Sequence, residues 1–248
     1  MRSILITAIA TALLTSAGSA TAQYNSKGLE YIKSKGQIIG ARLDTIQIPQ
    51  TERYNCGAAT AACILARESR KRTGSFYRFG VDDTYAFMNN GETDSGLTAD
   101  EFKAGLPYVA SMLRKALAKQ SVTVKYDFSY MEQSSAKGDF TSAISDIAVR
   151  LLRTNSMAVI YGNSKINPDP GSHYYAVRGY VMSTLSDGTT SNGLFINDSI
   201  YNSGKFPFVK GLKPTTIVYE DTLKEIWKPT GFRGRKNDRH FYMVNQGN

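Results

Sequence analysis

Cys56 and Cys63 are the only thiols in the 248-residue chain, and His173 and His240 are its only imidazoles. A cysteine nucleophile needs a base, usually a histidine, so these four side chains bound the covalent chemistry open to the protein. Both cysteines fall in "NCGAATAACILARESRKR", an alanine-rich run whose apolar spacing and basic end predict a helix starting near Asn55. Seven residues of helix separate two Cα atoms by roughly 10 Å. A disulfide tolerates less than about 7 Å, so two free thiols are expected. Cys56 stands at the helix N-terminus, where open backbone N–H groups and the dipole favour thiolate over thiol. Cys63, two turns further in, reads as a small core residue.

His173 opens the segment "HYYAVRGYVMS" after a Pro- and Gly-containing loop, "NPDPGS", suited to the rim of a site. His240 lies beside a run of Arg and Lys, a poor place to gain a proton, so His173 is the expected base. A base is normally oriented by a third group. "LFINDS" offers Asn197 and Asp198; alternation places Leu194, Ile196 and Asp198 on one face and Phe195 and Asn197 on the other, without deciding which face meets His173. Gln50, six residues before Cys56, carries an amide able to donate to an oxyanion beside the Cys56 N–H. Two cysteines and two histidines lack zinc-site spacing, so no metal and no organic cofactor is expected.

The elements that must position these groups change character along the chain. Amphipathic or alanine-rich patterns predict helices at Asn55–Arg72, in "DDTYAFMNN", in "TADEFKAGLPYVASMLRKALAKQ" with Thr98 as N-cap and Glu101 completing a capping box, and in "SAISDIAVRLLRTN". Strand-like runs follow at Ser156–Gly162, His173–Ser183, Gly193–Ser199, Thr215–Glu220 and Arg239–Asn245. Asp187-Gly188 and Asn192-Gly193 are hairpin signals between the second and third. Helices first and an antiparallel sheet second make an α+β order, with the long first helix packed on the sheet.

Residues 1–22 read as a secretory signal peptide: Arg2, an apolar run from Ile4 to Leu14 too short to span a bilayer, and Ala20-Thr21-Ala22 before Gln23. Residues 23–248 are expected to form one domain, secreted or periplasmic, without a membrane span. Losing Arg2 lowers the formal charge of +9 by one. That basicity suits anionic envelope surfaces, although the charges are scattered except in "KPTGFRGRKNDRH". No nucleic-acid partner is expected.

Together these residues resemble a family. "IPQTERYNCGAATAACIL" is similar to the first motif of the C39-like branch of the papain-like cysteine peptidases, in which a Gln stands six residues ahead of Cys-Gly at the start of the central helix. "GSHYYAVRGY" and "LFINDS" resemble its second half, a strand opening with His and a strand ending in Asn-Asp. The resemblance runs from about Ile46 to Val244 and implies a papain-like fold. It implies Cys56 as nucleophile, His173 as general base and acid, Asp198 as the group orienting His173, and Gln50 as oxyanion donor. The chain departs from the family pattern after Asp198, where Ser199 stands in place of the common Pro. The function implied is hydrolysis of an amide bond in a peptide or protein, a cell-envelope peptide among them. The alternatives are acyl transfer, as in a peptidoglycan-modifying thiol enzyme, and an inactive basic module binding an anionic polymer.

Overall fold

The structure is a computed structural model that describes residues 24–25, 28–88, 96–97, 99–119, 128–134, 140–163, 172–184, 188–201, 203, 211–213, 216–227 and 240–246. The expected signal peptide, Thr98, Asp187, the NPDPG part of the loop before His173 and most of the C-terminal basic run lie outside the described residues.

The first described elements form a hairpin with a two-residue turn. Strands β1 (Leu29–Ser34) and β2 (Gln37–Leu43) are joined at Lys35 and Gly36, whose φ angles of 48° and 80° give the doubly positive turn that matches strand twist. Helices α1 (Cys56–Thr73), α2 (Val81–Met88) and α3 (Ala99–Ala118) follow, then β3 (Phe128–Ser134) and α4 (Phe140–Thr154). Strands β4 (Ala158–Asn163), β5 (Ser172–Thr184), β6 (Thr190–Asp198) and β7 (Ile217–Tyr219), helix α5 (Glu220–Ile226) and strand β8 (His240–Gln246) complete the described order. Helices and one antiparallel sheet make the protein α+β.

The thirteen-residue β5 is the spine of the sheet. On one side it pairs with β6 along most of its length; on the other its first half pairs with β4 and its second half with β2. The order β1-β2-β5-β4-β8-β3 therefore branches at β5, where β6 and then β7 form a second arm. A register shift between Val177 and Gly179 marks the bend at which β5 changes partners.

The expected order of helices first and sheet second is corrected at both ends. The β1–β2 hairpin precedes every described helix and joins the sheet through β2, and β3 comes before α4 and pairs with β8. The Asn192-Gly193 pair is not a turn either. Thr184 already pairs with Thr190, so the connection closes around Gly188, and Gly193 lies within β6. A Cβ at Gly193 would stand 2.6 Å from the Ile217 side chain, so close approach of β7 explains this glycine.

Helix α1 is the buried helix of the fold, with every residue from Cys56 to Ser69 buried. Its alanines allow close approach all round, and the Thr60 hydroxyl donates to the Tyr174 carbonyl of β5 at 3.1 Å. That bond fixes the start of α1 against the start of β5, the two places that carry Cys56 and His173.

Candidate active site

Cys56 is the first residue of α1. The residue before it, Asn55, is of a type that often caps helices, yet its side chain makes no cap hydrogen bond. It turns back into the preceding loop instead: Oδ1 accepts from the Glu52 N–H at 3.1 Å, and Nδ2 donates to the Thr51 hydroxyl at 2.6 Å. The Thr51 hydroxyl in turn donates to Asp82 of α2 at 2.6 Å. This network ties the Asn55 side chain to the loop, so that it does not cap the first N–H groups of α1. No acidic residue occupies the first turn of α1 itself.

Burial alone would raise the Cys56 thiol. The neighbouring charge of His173 and a hydrogen bond to it, with backbone N–H bonds from Tyr174 and Gly57, reverse this and hold the thiol below its ordinary 9.0. Burial likewise disfavours the His173 cation, but the Cys56 thiolate and the Asp198 carboxylate outweigh it and push the imidazole up to about 10. The two shifts have one cause, a thiol and an imidazole that each favour the charged form of the other.

Asp198 ends β6 and is fully buried. His173 Nε2 lies 2.9 Å from Asp198 Oδ1, and since a carboxylate only accepts, Nε2 is the donor. The Ile200 N–H donates to the same oxygen at 3.0 Å and the Leu212 N–H to Oδ2 at 2.9 Å. Burial would raise this carboxyl, and these donors with the His173 charge keep it below its ordinary value. Tyr175, two residues along β5, sets its ring edge-to-face against the imidazole with centroids 4.6 Å apart. Its own hydroxyl is held protonated by burial and by the nearby Asp198 and Cys56 charges.

The structure thus brings Cys56, His173 and Asp198 into one chain of contacts, with 6%, 3% and 0% of their surfaces exposed. The choice that alternation left open falls to Asp198. Asn197 points elsewhere, donating to Thr45 Oγ1 at 3.1 Å and to Cys63 Sγ at 3.3 Å. Cys63 also donates to the Ile46 carbonyl, and burial pushes its thiol up to about 11. Both thiols are free, but only Cys56 has a base.

Gln50 is buried, and its contacts run to the turn after Asp198 rather than to the thiol. Its N–H donates to the Ser199 carbonyl at 2.8 Å, and its Oε1 accepts from the Ser199 hydroxyl at 2.8 Å. Its Nε2 donates to the Glu52 carbonyl at 2.9 Å and reaches the Arg53 carbonyl only at 3.5 Å. Gln47 adds a bond from its amide nitrogen to the Asp198 carbonyl. The roles of Ser199, Gln47 and Asn55 were not foreseen from the sequence, where a polar loop residue carries no mark of its partner.

Among the described residues no cluster of His, Cys, Asp and Glu could hold a metal ion. A groove of about 240 Å³ opens elsewhere, between α2, α3 and the segment before α2, lined in part by Arg78, Phe79, Phe87, Lys115 and Lys119; none of the four candidate residues borders it. Among the described residues no helix is long and apolar enough to cross a membrane. No family model matches the chain, and no curated protein matches it.

Proposed function

We propose that the chain is a cysteine peptidase of the papain-like fold, of the C39-like type, that cleaves a peptide amide through a thioacyl-enzyme at Cys56. The single observation that carries this reading is the buried series from Cys56 through His173 to Asp198, in which the thiol is lowered and the imidazole raised. A core cysteine has no need of such a partner, as Cys63 illustrates.

In the proposed cycle the Cys56 thiolate attacks the substrate carbonyl carbon, and the oxyanion forms beside the Cys56 N–H and the Gln50 amide. With Nε2 committed to Asp198, His173 works through Nδ1. It passes its proton to the leaving amine as the carbon–nitrogen bond breaks, leaving a thioester. Water then attacks the thioester, His173 takes one of its protons, and the carbon–sulfur bond breaks, releasing the carboxylic acid product and restoring the thiolate beside protonated His173. Asp198 keeps the imidazole in one orientation and stabilises its charge. Residues 1–22 act as a signal peptide in this reading, and the substrate is an extracytoplasmic peptide or protein.

Alkylation of residues 23–248 with iodoacetamide at pH 7 tests the site. Cys56 is expected to react at least about 100-fold faster than Cys63, and His173→Ala to remove most of that advantage. Equal and slow labelling of the two cysteines by mass spectrometry would overturn the proposal.

A further inference from the structure

The contacts of Gln50 point to a residue that the cycle above leaves without a part. We infer that Ser199 is a positioning residue for the oxyanion donor, fixing the Gln50 amide so that its N–H₂ end, not its oxygen, faces the loop that leads into Cys56. The inference rests on the proposed thiol chemistry and adds to it a requirement at a position where the resembled family commonly has Pro.

The geometry is specific. The Ser199 hydroxyl holds Gln50 Oε1 at 2.8 Å, while the carbonyls of Glu52 and Arg53 lie on the other side of the amide, 2.9 Å and 3.5 Å from Nε2. A hydroxyl can donate or accept, so by itself it would tolerate either orientation of the amide. Two carbonyls can only accept, so together the three groups permit one orientation. The long contact to Arg53 leaves the second Nε2 hydrogen weakly engaged. That is the hydrogen a developing oxyanion would recruit.

A backbone bond from the Gln50 N–H to the Ser199 carbonyl and the Gln47 bond to the Asp198 carbonyl tie the same two segments together. The turn that ends β6 therefore carries both the group that orients His173 and the group that orients Gln50. Proline at this position would have no hydroxyl to offer. Without the hydroxyl, Gln50 Oε1 is a buried acceptor lacking its donor, and the amide loses the bond that anchors it against the two carbonyls, so its N–H₂ end is held less firmly in place.

Two reagents separate this role from a general one. p-Nitrophenyl acetate acylates a thiolate through an oxyanion: the sulfur–carbon bond forms, the carbon–oxygen bond breaks, and p-nitrophenolate leaves. Iodoacetamide alkylates the same thiolate by displacing iodide, with no oxyanion. Ser199→Ala is expected to slow acylation of Cys56 about 10-fold and Gln50→Ala about 100-fold. Alkylation of Ser199→Ala should stay within about twofold of the parent, Ser199→Thr should restore acylation, and Ser199→Ala should add nothing in a Gln50→Ala background. Acylation of Ser199→Ala at the parent rate would overturn the inference. So would a parallel fall in alkylation, or a further loss in the Gln50→Ala background, since either marks a disturbed fold rather than a misdirected amide. Failure of the thiol chemistry is distinguishable: it shows in the unsubstituted protein, as Cys56 reacting with iodoacetamide no faster than Cys63, and it removes the inference as well.

Discussion

Asp198 carries a full charge in a place closed to water, and three donors make that possible: His173 Nε2 and the N–H groups of Ile200 and Leu212. Its lowered value sets a sign for stability. A carboxyl depressed on folding contributes stability above its unfolded value of about 4, and that contribution is lost as pH falls through the folded value. Urea titrations from pH 7 down to pH 2 should therefore show a loss below about pH 4 that Asp198→Asn lacks. The same substitution removes the anion that helps raise His173. For a cleaved peptide amide, kcat/KM is expected to rise with pH as the thiolate forms below the ordinary thiol value of 9.0, then to fall near 10 as His173 loses its proton. In Asp198→Asn the falling limb should move to lower pH by at least about one unit; an unmoved limb would disprove the assigned coupling. The identity of the acid was not legible in advance. Alternation separated Asn197 from Asp198 but could not choose between them, because Asp198 pairs with Tyr175 and meets His173 on a diagonal.

At the scale of elements, α1 has two halves with different tasks. Its first turn presents Cys56, while its second half carries Glu68, buried and charged, with Ser156 Oγ donating to Oε1 at 2.6 Å and Lys71 and Arg72 each 3.7 Å from Oε2. Lys71 also donates to the Thr154 carbonyl at 2.6 Å, so the cluster fastens the end of α1 to the connection between α4 and β4. Glu68→Ala would leave two half-buried cations facing each other without their anion. It is expected to lower stability by about 3 kcal/mol in urea unfolding. The alkylation rate of folded Cys56, roughly 18 Å away along the helix axis, should not change. Helix α1 was legible because alanine and cysteine recur at helical spacing and basic residues close the run. The β1–β2 hairpin was not, because Gly40 interrupts the apolar run of β2 and the turn is Lys-Gly rather than Asn-Gly.

The whole molecule depends on β5, which gathers the N-terminal hairpin, the central strand pair and the β6–β7 arm into one sheet. The hairpin buries Leu29, Ala41 and Leu43, and Arg178 at the bend of β5 reaches the Leu43 carbonyl at 3.5 Å. A chain beginning at residue 45 should therefore lose cooperative thermal unfolding and become protease-sensitive, although it keeps all four candidate residues. The α+β class followed from local patterns, whereas the branching of the sheet did not. Which strand meets which half of β5 is decided by a bend at Val177–Gly179 that no short segment announces.

The lowered thiol of Cys56 is a product of tertiary structure, since it needs the charge of His173 and N–H groups from two segments far apart in sequence. In an unfolded chain the same cysteine is an ordinary thiol, almost wholly protonated at neutral pH. Under the proposed function, a chain exported across a membrane in extended form would therefore carry a latent nucleophile, harmless to the machinery that handles it. Reactivity would be switched on by docking of β5 against α1, so folding itself doubles as activation.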